Sequence, residues 1–287
     1  MDKKITIAAV LATCMLSACN NDVAEDVFVP DEGEIQLLML HPNAQTRATE
    51  TAFENSDSIG VYVTAADLDL QLGGNEVNNE LFTYNGTTWT SKRRVYWNNG
   101  THNVYAYYPF DRKVNDVENY SFSVREDQST KLAYTRSDFL WASSPNVTAS
   151  SSPVTMQFGH KMSSVVVKLE KGDDFEGDIP SNAEVYLYST VTKANIDLST
   201  GDVSKDNYAG TSSIKCYKVN NTQYQAIVVP QNINSRRPLV EVVVGDVSYL
   251  LEGKISYKPG YRHTITVTLD KNPEKIKIEV GGEIVNW

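Results

Sequence analysis

Apolar and polar residues alternate along most of this chain. The first clear case is Ile59–Thr64, with the sequence IGVYVT, and similar short runs recur as far as Leu269. Alternation with a period of two places successive side chains on opposite faces of a strand. No long segment of the sequence has the 3.6-residue period of an amphipathic helix. The pattern therefore predicts an all-β protein.

Two Asn-Gly pairs in the first half of the chain indicate tight turns. Asn85-Gly86 lies between the arms LFTY and TTWTS, and Asn99-Gly100 lies between RRVYW and NVYAYY. Asn-Gly readily adopts the positive φ angles of a type I′ turn, whose twist matches that of paired strands. Both pairs are predicted to close β-hairpins, with Pro109 ending the second arm of the second hairpin.

The spacing of the strand segments predicts two β-sandwich domains in tandem. Ser143–Pro153 is rich in serine and proline and indicates a loop or the approach to a domain boundary. After it, strand segments recur about every dozen residues, as in a sandwich. We predict domains at residues 48–157 and 158–270, followed by a C-terminal strand at residues 271–287.

The earliest strand-like run, IQLLML, is followed closely by an isolated arginine, Arg47. No other lysine or arginine occurs between Lys4 and Lys92. Each apolar side chain of the run would contribute ~1.5–3 kcal/mol if fully buried. The sum is an upper bound, yet it is comparable to the ~5–15 kcal/mol stability of a domain. The apolar residues of this run, which form the candidate removable first strand, are Ile35, Leu37, Leu38, Met39 and Leu40.

Losing such a strand would also expose unpaired backbone groups on its neighbours. Cleavage between Arg47 and Ala48 would therefore give the domain a strong tendency to accept a replacement strand. The alternative is that Arg47 is an exposed loop residue without a role.

The N-terminal residues have the parts of an export signal. Lys3 and Lys4 precede the apolar stretch Ile5–Met15, and Leu16-Ser17-Ala18 precedes Cys19. The stretch is shorter than the ~20 residues that span a membrane. LSAC resembles a bacterial lipobox, so we predict a signal peptide at residues 1–18 and lipid attachment at Cys19. The alternative is an ordinary secretory signal with an incidental cysteine. Residues 19–47 then comprise an acidic tether and the first strand.

Composition argues against a nucleic-acid-binding protein and against stabilisation by an intrachain disulfide. The net charge of −10 at pH 7 argues against nucleic acid as a partner. Of three cysteines, Cys14 belongs to the signal and Cys19 to the lipobox, so Cys216 has no partner for an intrachain disulfide. We expect Cys216 to be a buried apolar side chain.

The sequence contains no pattern that indicates an enzyme, a cofactor or a metal. None of the four histidines, His41, His102, His160 and His263, has another metal ligand at a typical spacing. We expect His160 to be a hydrogen-bonded structural histidine. Glu170–Asp178 has oxygen ligands for Ca²⁺ without the EF-hand spacing, and a solvated loop is favoured there.

Aromatic residues offer a binding alternative, because their faces can stack on sugars. About half of them should be buried, since alternate residues of a strand face opposite sides. The set consists of Tyr96, Trp97, Tyr105, Tyr107, Tyr108, Phe110 and Trp141.

An ordered set of motifs resembles the fimbrillin family, the type V pilus subunits of Bacteroidota. LSAC is followed by the first strand with TRA, and then by FENSDSIGVY at Phe53–Tyr62. VYAYYPF, DFLWAS, TMQFGHKMSSVVVKL, VVPQ and LLEGKISYKPGYRHTITVTL come next, and a final strand ends in tryptophan. The resemblance covers essentially the whole chain.

The resemblance implies two transthyretin-like β-sandwich domains in a cell-surface fimbrial subunit that mediates adhesion. It implies a precursor held in the outer membrane by the lipid on Cys19, and an Arg-specific protease that cuts after the first strand. A neighbouring subunit then supplies the replacement strand. Family members include stalk, tip and anchor subunits, and the last keep the first strand and the lipid.

The C-terminal run KIKIEV is the donor-strand candidate, because alternate apolar residues would fill a groove. The donor residues would be Ile276, Ile278, Val280, Ile284 and Trp287. The equally weighted alternative is that this tail completes its own domain. The alternative for the whole protein is an uncleaved, lipid-anchored protein that binds a glycan or serves as a pilus anchor.

Overall fold

The structure is a computed structural model and describes residues 33–42, 52–245, 247–271, 277–280 and 285–286. Almost all regular elements in these ranges are strands, which confirms the predicted all-β class. The elements, in chain order, are β1 (Leu37–Leu40), β2 (Ser58–Ala65), β3 (Val77–Tyr84), β4 (Trp89–Ser91), β5 (Thr101–Tyr108), β6 (Tyr120–Ser123), α1 (Lys131–Thr135), β7 (Leu140–Thr148), β8 (Val154–Gln157), β9 (Gly159–His160), β10 (Ser163–Lys171), β11 (Glu184–Val191), β12 (Lys193–Ile196), β13 (Val203–Lys205), β14 (Thr211–Lys215), β15 (Tyr217–Lys218), β16 (Gln223–Val228), β17 (Gln231–Val244), β18 (Val247–Tyr257), β19 (Tyr261–Leu269), β20 (Lys277–Val280) and β21 (Val285–Asn286).

The described strands form five sheets, of which two belong to the first half of the chain, two to the second half and one to both. The first half contains the sheet β4-β3-β2-β5-β7-β9 and the pair β1-β8. The second half contains the sheet β15-β16-β10-β19-β20, in which β21 also pairs with β19, and the sheet β14-β11-β17-β18. The fifth sheet, β13-β12-β6, joins a strand from the first half to two from the second.

Two clusters of buried apolar side chains lie in these sheets. The first is built from residues between Ile35 and Phe158. The second is larger and includes Val165, Val167 and many residues after them. It also takes in side chains from before position 157, among them Tyr120 and Phe122. The alternation in β6 buries Tyr120 and Phe122 and leaves the two serines exposed.

The described residues belong to one compact unit, Glu32–Trp287. Because β6 pairs with β12, backbone hydrogen bonds as well as packing cross the expected boundary near residue 157. The division into domains 48–157 and 158–270 therefore stays a prediction.

One of the two expected hairpins forms. β3 and β4 pair around Asn85-Gly86, with Tyr84 opposite Trp89 and Gly86 at φ +93°. Gly100 also has a positive φ, of +115°, but the segment before it does not pair with β5. The second hairpin prediction is wrong, because Tyr96 bridges to Glu34 in the first strand region instead.

Two local features differ from the sequence interpretation. The first part of the Ser/Pro-rich segment Ser143–Pro153 is a strand, because β7 continues to Thr148 and pairs with β5. The short helix α1 was not expected, and the hydroxyl of Thr130 caps it by accepting a hydrogen bond from the backbone N–H of Ala133. No helix among the described residues is long and apolar enough to cross a membrane.

Candidate assembly site

The first strand lies between two neighbours and is hydrogen-bonded to both. β1 pairs in parallel with β8, with Met39 opposite Met156. On the other side, the backbone N–H of Ile35 donates to the carbonyl of Val95 at 2.8 Å, and that of Trp97 donates to Gly33 at 2.9 Å. The N-terminal segment thus pairs with Val95–Trp97 through Gly33–Ile35 and with β8 through Leu37–Leu40, and its removal would leave unpaired backbone groups on both neighbours.

The side chains of this strand are buried unequally. Ile35 is 4% and Met39 7% exposed, and both belong to the first apolar cluster. Leu37 and Leu40 are half-buried, and Leu38 is 49% exposed. The five apolar residues therefore contribute less than the upper bound set by full burial, because the pleat directs Leu38 away from the cluster.

We expect Met39→Ala to lower the free energy of unfolding of the uncleaved chain by about 2–5 kcal/mol, because it leaves a cavity in the first cluster. Leu38→Ala is the matched control in the same strand and should change stability by about 0.5 kcal/mol or less. Urea denaturation measures both values. Equal losses in the two variants would contradict the described burial.

Aromatic and histidine rings pack at the C-terminal end of the first strand. The ring of His41 lies 5.0 Å from that of Phe53 and 5.9 Å from that of His160. Burial, with a smaller effect of His160, lowers the pKa of His41 to about 4. His160 is buried and its Nδ1 lies 2.7 Å from an oxygen of Asp138, which confirms the expected structural histidine. The contact between His41 and Phe53 joins the end of the first strand to the residues that precede β2.

Several expected site residues lie outside the described ranges. These are Cys19, Arg47, Ala48, Ile276, Ile284 and Trp287. Their predicted roles in lipidation, processing and strand donation stay predictions.

The described part of the C-terminal tail pairs with the sheet of its own chain. β20 is antiparallel to β19, with Ile278 opposite Val267 and Val280 opposite Ile265. Ile278 and Val280 share a half-buried face that packs against the second apolar cluster. This placement is the one expected if the tail completes its own domain. Donation to another subunit would require β20 to leave this edge position.

The other residues that the sequence analysis named, Cys216 and seven aromatic residues, are mostly buried or half-buried. Cys216 is buried as expected, and burial raises the pKa of its thiol. Among the seven aromatic residues, only Tyr96, at 45%, is more than about a third exposed. Tyr107 is buried and its hydroxyl donates to Asn79 at 2.8 Å. Trp141 donates to the carbonyl of Leu198 at 2.7 Å. The seven rings therefore do not form one exposed platform.

Within the acidic stretch from Glu170 to Asp178, the four residues from Asp173 to Glu176 line a depression together with Asp270 and Lys271. The described residues contain no group of three or more His, Cys, Asp or Glu side chains that could hold a metal ion. An ion pair between Lys271 and Glu176, at 2.9 Å, neutralises part of the charge there.

The sequence analysis did not predict that the residues before the first strand pair antiparallel with Val95–Trp97. Val95 is 7% exposed and packs in the same cluster as Ile35, and it lies in the short run VYW between two arginines and two asparagines. The only signal in the sequence was the Asn99-Gly100 turn, which was assigned to a hairpin. The turn instead connects Tyr96, which pairs with Glu34, to β5 in the sheet β4-β3-β2-β5-β7-β9.

Comparison with known proteins places this architecture in a family. The sequence profile described as fimbrillin-like matches residues 46–287. The chain belongs to the fimbrillin-like family. This confirms the resemblance drawn from the ordered motifs, and the matched range begins after the first strand.

Relatives of this fimbrillin-like chain occur in Bacteroides. A candidate fimbrium subunit, Fim1C, of Bacteroides uniformis is 23% identical over 309 residues, covering 100% of this chain and 96% of the relative. A candidate fimbrium tip subunit, also called Fim1C, of Bacteroides ovatus is 27% identical over 150 residues, covering 46% of this chain and 27% of the relative.

Among solved structures, a candidate cell adhesion protein from Bacteroides ovatus has the same fold. It superposes with a TM-score of 0.74 at 20% identity and covers 90% of this chain and 99% of its own.

Proposed function

We propose that this fimbrillin-like protein is a structural subunit of a cell-surface fimbria that mediates adhesion and assembles by strand exchange. The observation that carries the proposal is the pairing of the first strand with β8, together with the hydrogen bonds that the residues just before it form with Val95 and Trp97. Membership of the fimbrillin-like family and the name of the Bacteroides uniformis relative support it.

Removal of the first strand is the proposed trigger. An Arg-specific surface protease cuts between Arg47 and Ala48, and the strand then leaves with its N-terminal tether. The departing side chains of Ile35 and Met39 expose the apolar cluster that they covered. The open groove binds a strand with apolar residues at alternate positions, because Ile35, Leu37 and Met39 occupy such positions.

The same cut would release the subunit from the membrane. The lipid on Cys19 holds the precursor in the outer membrane, and Cys19 precedes the cleavage point in the sequence. Hydrolysis after Arg47 separates this lipid from the mature chain, which passes from the outer membrane into the fimbria.

The C-terminal tail is the proposed donor. Ile276, Ile278 and Val280 repeat the spacing of the apolar residues in the first strand. Donation requires the tail to exchange its edge position beside β19 for the position of the first strand in another subunit. There the tail would pair with β8 and also replace the hydrogen bonds that Gly33–Ile35 form with Val95–Trp97, whereas the described edge strand β20 pairs with β19 alone.

A tip subunit is the second candidate, favoured by the pairing of β20 and β21 with their own β19. A subunit whose tail is retained could accept a strand without donating one. The name of the Bacteroides ovatus relative, a candidate fimbrium tip subunit, supports this version of the proposal.

Brief trypsin treatment of the purified precursor, followed by native electrophoresis, tests assembly. Cleavage after Arg47 is expected to produce a ladder of oligomers, because open grooves bind strands of other copies. An unchanged monomer after complete cleavage at Arg47 would contradict self-assembly and favour the tip role. Resistance of Arg47 to cleavage would favour the uncleaved anchor or glycan-binding alternative.

A further inference from the structure

A cleft of about 700 Å³ opens where the start of β2 and the end of β5 face the strand β6. Ser58 and Tyr108 line one side, and Phe122 and Ser123 line the other. Tyr108 packs against the first apolar cluster and Phe122 belongs to the second, so the cleft lies where the two clusters approach each other. It is separate from the groove occupied by the first strand.

Two arginines, Arg125 and Arg136, line this cleft. Both are exposed, and neither forms an ion pair in the described part of the chain, which is also true of Arg112, Arg237 and Arg262. Burial raises the pKa of Asp57 in the same cleft, and the charge of Arg136 partly offsets this effect. Some other arginines are paired. Arg93 lies 3.0 Å from Glu80 and Arg236 lies 3.2 Å from Glu252. What distinguishes this cleft in a protein with a net charge of −10 is that two guanidinium groups line it with Asp57 as the single carboxylate, a combination suited to an anionic ligand.

The backbone that carries the two arginines is held together by one buried serine. Ser137 is fully buried, and its hydroxyl accepts a hydrogen bond from the backbone N–H of Arg125 at 2.9 Å. The same hydroxyl donates to the carbonyl of Ala133 in α1, also at 2.9 Å. Arg136 ends α1, and its backbone N–H donates to the carbonyls of Leu132 and Tyr134. The short helix and Ser137 thereby fix the backbone position of one arginine relative to that of the other.

The cleft contains one carboxylate, Asp57, whose oxygens already accept hydrogen bonds. One oxygen accepts from the backbone N–H of Glu54 at 2.7 Å, and the other accepts from the hydroxyl of Tyr108 at 3.2 Å. Two guanidinium groups against one satisfied carboxylate leave a net positive charge. The remaining lining offers serine hydroxyls and the half-buried rings of Tyr108 and Phe110.

We propose that this cleft binds a carboxylated sugar, with Arg125 and Arg136 holding the carboxylate. The serine hydroxyls exchange hydrogen bonds with sugar hydroxyls, and the aromatic rings contact the apolar face of the ring. This combination distinguishes a sugar acid from inorganic phosphate, which has no apolar face. The cleft would give the subunit a binding site for acidic sugars in addition to its proposed role in assembly.

Titration of the full uncleaved chain with N-acetylneuraminate and glucuronate, followed by saturation-transfer NMR and calorimetry, tests the proposal. The double variant Arg125→Gln/Arg136→Gln should weaken binding at least about tenfold, because charge-assisted hydrogen bonds are lost. Arg236→Gln removes an exposed arginine elsewhere and is the matched control. Arg125→Lys/Arg136→Lys keeps the charge without the bidentate geometry and should give an intermediate affinity. Equal melting temperatures will show that all variants fold.

Four results would overturn the proposal. The first is binding of the uncharged sugar N-acetylglucosamine as strongly as the two sugar acids, and the second is unchanged affinity in the double glutamine variant. The third is an equal loss of affinity in Arg236→Gln, and the fourth is no binding of either sugar acid. A glutamate-rich peptide that binds while both sugar acids fail would assign the cleft to an acidic protein segment. The measurement uses the monomer before cleavage, so its failure leaves the strand-exchange proposal intact.

Discussion

Arg47→Ala is expected to abolish polymerisation and to leave a folded lipoprotein in the outer membrane. The variant keeps the first strand, so Ile35 and Met39 continue to cover the apolar cluster and no groove opens. Because the lipid on Cys19 also stays attached, palmitate label should remain with the chain. N-terminal sequencing of surface material, palmitate incorporation and native electrophoresis measure the three effects.

The control for this variant is Arg93→Ala, which removes an exposed arginine that is paired with Glu80. It should be cleaved and assembled as the wild type is. Wild-type fimbriae whose chains still begin at Cys19 would contradict the mechanism and would make this protein an anchor subunit or an uncleaved surface lipoprotein. If Arg47→Ala is cleaved at another residue and still assembles, cleavage after Arg47 is not required for assembly.

The existence of the first strand could be predicted because a run of apolar residues stands out against an acidic stretch. Its burial could not, since the sequence does not show which face of the strand meets the cluster. Leu38 is as apolar as Met39, yet it is 49% exposed. The parallel pairing with β8 joins residues more than a hundred positions apart, and no local pattern encodes such a contact.

The Asn99-Gly100 turn illustrates a second limit. The local turn chemistry was read correctly, because Gly100 has the positive φ that the pair favours. A turn of this kind also permits the chain to cross from one sheet to another, and tertiary pairing of Tyr96 with Glu34 determined the outcome. The arginine cleft was missed for a related reason, since Arg125 and Arg136 come together through α1, which is too short to give a periodic signal.

Deletion of the chain from Pro273 onward is expected to leave a folded monomer that accepts a strand but cannot donate one. β19 keeps β10 as a neighbour on its other side, so the deletion removes β20 and β21 from one side of β19 and leaves the rest of that sheet paired. Ile278 and Val280 are half-buried, and their loss should cost about 1–3 kcal/mol, less than the ~5–15 kcal/mol stability of a domain. Urea denaturation and native electrophoresis with trypsin-treated wild-type subunits measure stability and assembly.

A point variant separates donation from general damage to the tail. Ile278→Asp places a charge on the face that must enter a groove, whereas Glu279→Ala changes the opposite, exposed face and is the control. We expect Ile278→Asp to block donation and Glu279→Ala to preserve it, with both monomers folded. Unfolding of the truncated chain would show that the tail belongs to the core of its own domain. Undiminished laddering of the truncated chain with itself would show that another segment donates, because acceptor grooves would then be filled without any tail.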